Sequence, residues 1–267
     1  MSDATAPAET KPPLSEEASG RLMTLATFAS VSVALVLIVC KFGAWLPTDS
    51  LSLLSTLIDS FLDAGASVIN LLAVRRALQP ADRHHRFGHG KAEPLAGLAQ
   101  AAFIFGSAAF LLIEVWERIF HPRDIENTTI GYAVMAFAIL LTLVLVLFQK
   151  HVVRRTGSVA ISADSLHYQT DIMINGSVII CLFLTANLGW RYADPVFATA
   201  IAVYILWGAW RIGYGAFLLI LDRELPDKER RRIKEIVLSN PGVHGLHDMR
   251  TRTSGQNMFI QLHVEMD

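Results

Sequence analysis

Long apolar runs alternate with short polar connections along most of the chain, at roughly 23–46, 51–74, 95–117, 130–149, 166–189 and 195–213. A helix needs about 20 predominantly apolar residues to cross the hydrocarbon core of a bilayer, and each run is of that order. In such a core the backbone must satisfy its own hydrogen bonds, which a helix does unaided. The pattern predicts an α-helical membrane protein with six transmembrane helices over residues 21–221. Residues 1–20, including "SDATAPAETKPPLSEEASG", have almost nothing to bury and are expected to form a disordered cytoplasmic tail. No small-residue cleavage site follows the first apolar run, so a cleaved signal peptide is not expected.

The periodicity changes after the sixth run. "LPDKERRRIKEIVLSN" reads as an amphipathic helix with Asp227 near its start, and Pro241-Gly242 breaks it. Two alternating segments, 246–252 and 257–265, then flank the turn "SGQN". Residues 222–267 are therefore expected to form a small cytoplasmic α-β-β piece, too short to bury much of a core alone.

Composition and charge sharpen this picture. Apolar residues make up 52% of the 267 positions, and the formal net charge is −1. No nucleic-acid partner and no organic cofactor are expected. The basic residues gather in alternate connections: Arg75, Arg76, Arg83, Arg86 and Lys91 in one, and Lys150, Arg154 and Arg155 in another. Only Arg118, Arg123 and Arg191 fall in the others. Basic loops stay on the cytoplasmic side, so both termini are expected there. Cys40 and Cys181 stand alone in apolar runs, where they read as small buried hydrophobes.

Against this background two acidic residues stand out. Asp59 and Asp63 lie four apart in the second run and so share a helix face, although an ionised Asp at a membrane helix centre costs about 2.5–3.5 kcal/mol. The middles of the first four spans offer no compensating cation. The fifth run places His167 and Asp171 at the same spacing, with Asn175 on that face. Three carboxylates and one imidazole suggest a single tetrahedral site for a zinc-like divalent ion. Such an acidic cluster repels itself without a cation, so a proton should enter as the metal leaves. His167 is the leading proton carrier, with Asp63 beside it in the coupling, because a histidine must deprotonate to bind metal. Asn70 and Asn175 are expected to bond between helices.

In the loop after the second span, Asp82, His85 and His89 could bind a second divalent ion on a helical turn or a glycine-punctuated loop. A basic loop that greets anionic headgroups explains the same residues equally well. His247 and His263 fall on the two β segments. Lys91 and Asp222 fall at the cytoplasmic boundary, where an ion pair between the third and sixth spans is expected. Gly97, Ala101, Gly106, Gly208 and Ala209 predict a close contact between those two spans.

D-x-x-x-D in the second span, H-x-x-x-D in the fifth, "FGHGKAEPLAGLAQ", "LHYQTD" and "LLILDRELP" together resemble the cation diffusion facilitator family from about Arg21 onward. The resemblance implies a homodimeric, proton-coupled exporter in the bacterial inner membrane, with six spans and a ferredoxin-like cytoplasmic domain. It implies a transport site at Asp59, Asp63, His167 and Asp171, and a loop site at Asp82, His85 and His89. It also implies a charge interlock at Lys91 and Asp222 at the dimer's membrane boundary, and an apolar gate at Leu166. Zinc would be both transported substrate and structural ligand, with cadmium and ferrous iron as further candidates. The family's cytoplasmic domain continues with a further helix and strand that complete a binuclear metal site, of which only His247 and His263 have counterparts here. No enzymatic activity is expected. Two rivals remain: an intramembrane metal-dependent hydrolase, which would need an open metal position and a general base, and a passive metal channel or sensor, for which four strong ligands suit poorly.

Overall fold

The computed structural model describes residues 15–48, 51–120, 129–188 and 193–266. Six long helices, α1 (Glu16–Thr48), α2 (Leu51–Ala77), α3 (Ala92–Phe120), α4 (Thr129–Thr156), α5 (Val159–Leu188) and α6 (Ala193–Ile220), form a bundle. Five of them, α1 to α4 and α6, are long and apolar enough to cross a membrane. The other, α5, is 30 residues long, and its N-terminal half is interrupted by Asp164, His167, Gln169, Asp171 and Asn175. Large apolar side chains such as Val39, Phe110, Trp116 and Leu140 point outward. In a bilayer these side chains meet lipid, so outward exposure carries no penalty there.

Residues 16–20, expected to belong to a disordered tail, form the first turns of α1, which begins at Glu16. The Ser15 hydroxyl accepts the Ala18 N–H at 3.2 Å and caps the first turn, which also carries Glu16 and Glu17. Residues 1–14 and His121 lie outside the described residues.

Three buried clusters hold the bundle. Met23, Ala26, Val74, Val152, Ala160 and Ile161 join α1, α2, α4 and α5. Ile104, Ala108, Leu166, Ile201, Ile205 and Ala209 join α3, α5 and α6. Leu145, Val146 and Tyr168 join α4 to α5. The expected contact between α3 and α6 forms, with a Cβ on Gly213 falling 3.3 Å from Ala101 Cβ. Gly97 and Gly208, however, serve α5: a Cβ on either would lie 2.9 Å from Val159 Cγ1 or Leu166 Cδ2. Gly106 has nothing within 4 Å of its Cβ position.

A polar knot sits among these clusters. Asp164 on α5 is 1% exposed and accepts hydrogen bonds from Ser30 Oγ of α1 at 2.6 Å, Gln149 Nε2 of α4 at 2.7 Å and Gln100 Nε2 of α3 at 3.1 Å. Buried polar groups need such partners, and here they fasten α5 to three neighbours at one level. Asn70 adds an α2-to-α5 bond, Nδ2 to Ala160 O at 3.5 Å. Asn175 instead bonds within its own helix, to Asp171 O at 2.7 Å, because that carbonyl lies one turn back and within reach.

The C-terminal piece consists of α7 (Asp227–Leu238) and an antiparallel hairpin, β1 (Val243–Ser254) and β2 (Asn257–Met266), in which His247 pairs with His263. Gly255 takes φ +61 in the turn, a conformation that favours glycine. The hairpin tip rests on the bundle. Ser19 Oγ donates to Gln256 Oε1 at 2.9 Å, Gln256 Nε2 donates to Thr156 O at 3.2 Å, and Phe259 meets Phe87 edge-on at 5.4 Å.

Candidate metal centre

The face of α2 that carries Asp59 and Asp63 opposes the face of α5 that carries His167 and Asp171, because Asn70 and the Ser67–Tyr168 pair, at 3.0 Å, fix the rotation of the two helices. Ligand atoms of Asp63, His167 and Asp171 lie within 4.8 Å of one another. His167 Nε2 is 2.8 Å from Asp63 Oδ1, and its ring is 9% exposed. Phe103 of α3 meets the ring edge-on with centroids 6.2 Å apart. A cavity of about 710 Å³ surrounds the group and is lined by Asp59, Asp63, Phe103, Glu114, His167 and Asp171 among others.

Three of the four expected ligands thus converge, and Asp59 does not. It lines the same cavity four residues along α2 from Asp63, about 6 Å of rise away.

The expectation of no cation in the span middles does not extend to Lys41, two turns from the end of α1. Its Nζ lies at the end of α1 and donates to Ser60 Oγ at 2.7 Å and Thr56 O at 3.0 Å on α2. The docking of α1 on α2 brings it to that helix beside Asp59. Asp164 was also missed as a structural residue, although it lies three positions before His167.

The loop group is compact as well. Ligand atoms of Asp82, His85 and His89 lie within 4.8 Å of one another. The loop is irregular rather than helical, and Gly88 takes φ +76. Asp82 Oδ1 accepts the His85 N–H at 2.7 Å and the His84 N–H at 2.8 Å. The His85 N–H above all, with the His84 N–H and the His85 ring, holds the Asp82 carboxyl below its ordinary range. His89 is buried, with Nε2 3.3 Å from Asp82 Oδ2. A poised carboxylate and two nearby imidazoles suit a divalent cation.

Lys91 Nζ lies 2.9 Å from Asp222 Oδ1, and Arg252 Nη1 lies 3.2 Å from Asp222 Oδ2. The Lys91 ammonium, with Arg252 beside it, keeps the Asp222 carboxyl below its usual range. On the hairpin, the His247 and His263 rings are 6.2 Å apart and half-exposed, beside Glu265 and Asp248 at 3.7 and 3.9 Å respectively. Among the described residues no three-ligand group forms there.

The geometry has clear relatives. The sequence pattern described as the cation efflux transmembrane domain matches residues 27–221, and that described as the cation efflux protein cytoplasmic domain matches residues 225–267. The chain belongs to the cation efflux family. It is similar to proteins named cation-efflux pump FieF from Salmonella arizonae and from Escherichia coli, at 50% identity over 248 residues in each case. The match covers 93% of this chain and 82% of either relative. The chain is accordingly a multi-pass membrane transporter for divalent metal cations, not an enzyme, and the hydrolase reading falls.

Proposed function

We propose that the protein exports zinc-class divalent cations from the cytoplasm in exchange for protons, by alternating access, as a homodimer in the bacterial inner membrane with both termini cytoplasmic. The observation that carries this reading is the convergence of half-buried Asp63 and Asp171 with buried His167, whose Nε2 is 2.8 Å from Asp63 Oδ1. An imidazole nitrogen holds either a proton or a metal. Protonated, Nε2 donates to the Asp63 carboxylate; deprotonated, its lone pair and the freed carboxylate oxygen turn to the cation. Proton and metal exclude each other at that one atom, and opposed gradients then drive exchange.

Asp59 completes the set when its side chain swings along the cavity wall, giving three carboxylate oxygens and one nitrogen. That set suits tetrahedral zinc with bonds of about 2 Å. A carboxylate-rich shell also tolerates cadmium and ferrous iron. Leu166, 5% exposed and packed into the space left by Gly208, is the apolar gate beside the ligand histidine. Asp82, His85 and His89 hold a second, resident divalent ion, while His247 and His263 contribute two ligands of a cytoplasmic site. The pair of Lys91 and Asp222 locks the cytoplasmic boundary of the dimer.

Reconstitution into lipid vesicles with a zinc reporter inside tests the reading. Zinc entry should accelerate under an opposing proton gradient and vanish in Asp63→Ala and His167→Ala. Flux insensitive to the gradient would favour a channel, and intact flux in both variants would remove the site.

A further inference from the structure

We propose that Lys41 is a resident counter-cation of the transport site, a fixed positive charge that makes the metal-loaded cluster neutral and thereby weakens its grip on the cation enough for release. The proposal rests on the reading of Asp59, Asp63, His167 and Asp171 as that site. The Lys41 ammonium is anchored on α2 by Ser60 Oγ at 2.7 Å and Thr56 O at 3.0 Å, which bracket Asp59 in sequence. Ser60 is 1% exposed, so the ammonium is held against the wall of the bundle. Thr56 and Ser60 lie within one helical turn of Asp59 on α2, which places the charge beside the acidic residues of that helix.

The charge count gives the consequence. Three ionised carboxylates and a neutral imidazole leave one negative charge after a divalent ion binds, and Lys41 removes it. A net charge in a low-dielectric surround is costly, so a neutral loaded site can move relative to the bilayer more readily than a charged one. The same ammonium repels the incoming cation, which trades affinity for turnover. A lysine that only tied α1 to α2 would do neither. Its two anchors would be matched by any hydrogen-bonding side chain, and its removal would cost stability without strengthening metal binding.

The test uses the full chain with the loop site removed by Asp82→Ala, titrated with zinc at about pH 8.5, where protons compete least with the metal. The binding event of interest is the one abolished by Asp63→Ala. Lys41→Met should bind zinc there about tenfold or more tightly, as expected for removal of a nearby like charge in a poorly screened site. In vesicles the same substitution should lower both KM and the maximal rate, and Lys41→Arg should restore both toward the parent. Unchanged or weaker binding in Lys41→Met, with the Asp63-dependent event present in the parent, would overturn the role of Lys41 alone. Absence of that event from the parent would overturn the transport site itself, and the proposal with it.

Discussion

Asp222 shows how much a single position can carry at the membrane boundary. It takes φ 57, a left-handed conformation that Asp and Asn tolerate better than most residues, and this places its carboxylate between Lys91 and Arg252. Both it and Lys91 are 39% exposed, so the pair contributes in the range of surface ion pairs, about 0.2–1 kcal/mol. Its folded pKa is depressed, so its contribution is fully present above the unfolded value, about 3.9, and is lost only as pH falls below it through the folded pKa. Asp222→Asn, which keeps the backbone conformation, should lower apparent thermal stability in detergent by under about 1 kcal/mol at pH 7. The gap from the parent should stay constant down to about pH 4 and close only below it. A gap that closes between pH 7 and pH 5 would show that another group, not this carboxylate, responds.

The hairpin is the element whose seating depends most on a single missing side chain. Gly90 lies under the turn of β1 and β2, and a Cβ there would fall 2.7 Å from Gly255 N and closer still to Ser254 O, both backbone atoms that cannot rotate away. Gly90→Ala should therefore lift the tip off the bundle and raise protease cleavage within residues 243–266, while the six-helix core keeps its detergent stability. Unchanged cleavage would mean that the tip does not depend on this approach. Elements of this kind were readable in part. The six apolar runs gave the helices, and "SGQN" gave the turn, because local periodicity and turn chemistry settle both. The partner of each glycine was not readable, since helix rotation is set by packing: Gly208 suggested close approach to α3 and instead receives Leu166 of α5. The convergence of Asp63 with His167 and Asp171 was suggested by spacing for the opposite reason, that Asp59 and Asp63, like His167 and Asp171, share a helix face at i and i+4 whatever the neighbours are. Lys41 and the partners of Asp164 come from distant segments, and no spacing rule brings them together.

At the scale of the whole molecule, the polar knot at Asp164 fastens the N-terminal half of α5 to α1, α3 and α4, so His167 and Asp171 are carried on a firmly held helix. Asp59 and Asp63 sit on α2, which meets α5 at Asn70, at Ser67 and through the Asp63–His167 pair itself. Relative movement of α2 and α5 would open or close the cluster, with Leu166 and Phe103 around the histidine. Under the exchange proposed above, that motion would accompany a swap of cation for proton. Proton release on zinc binding tests this most directly, measured with purified full-length chain in weakly buffered solution after Asp82→Ala and His85→Ala have removed the loop site. Protons should appear in step with zinc bound, and His167→Ala should release fewer of them. Zinc uptake that depends on Asp63 yet releases no protons would contradict the account.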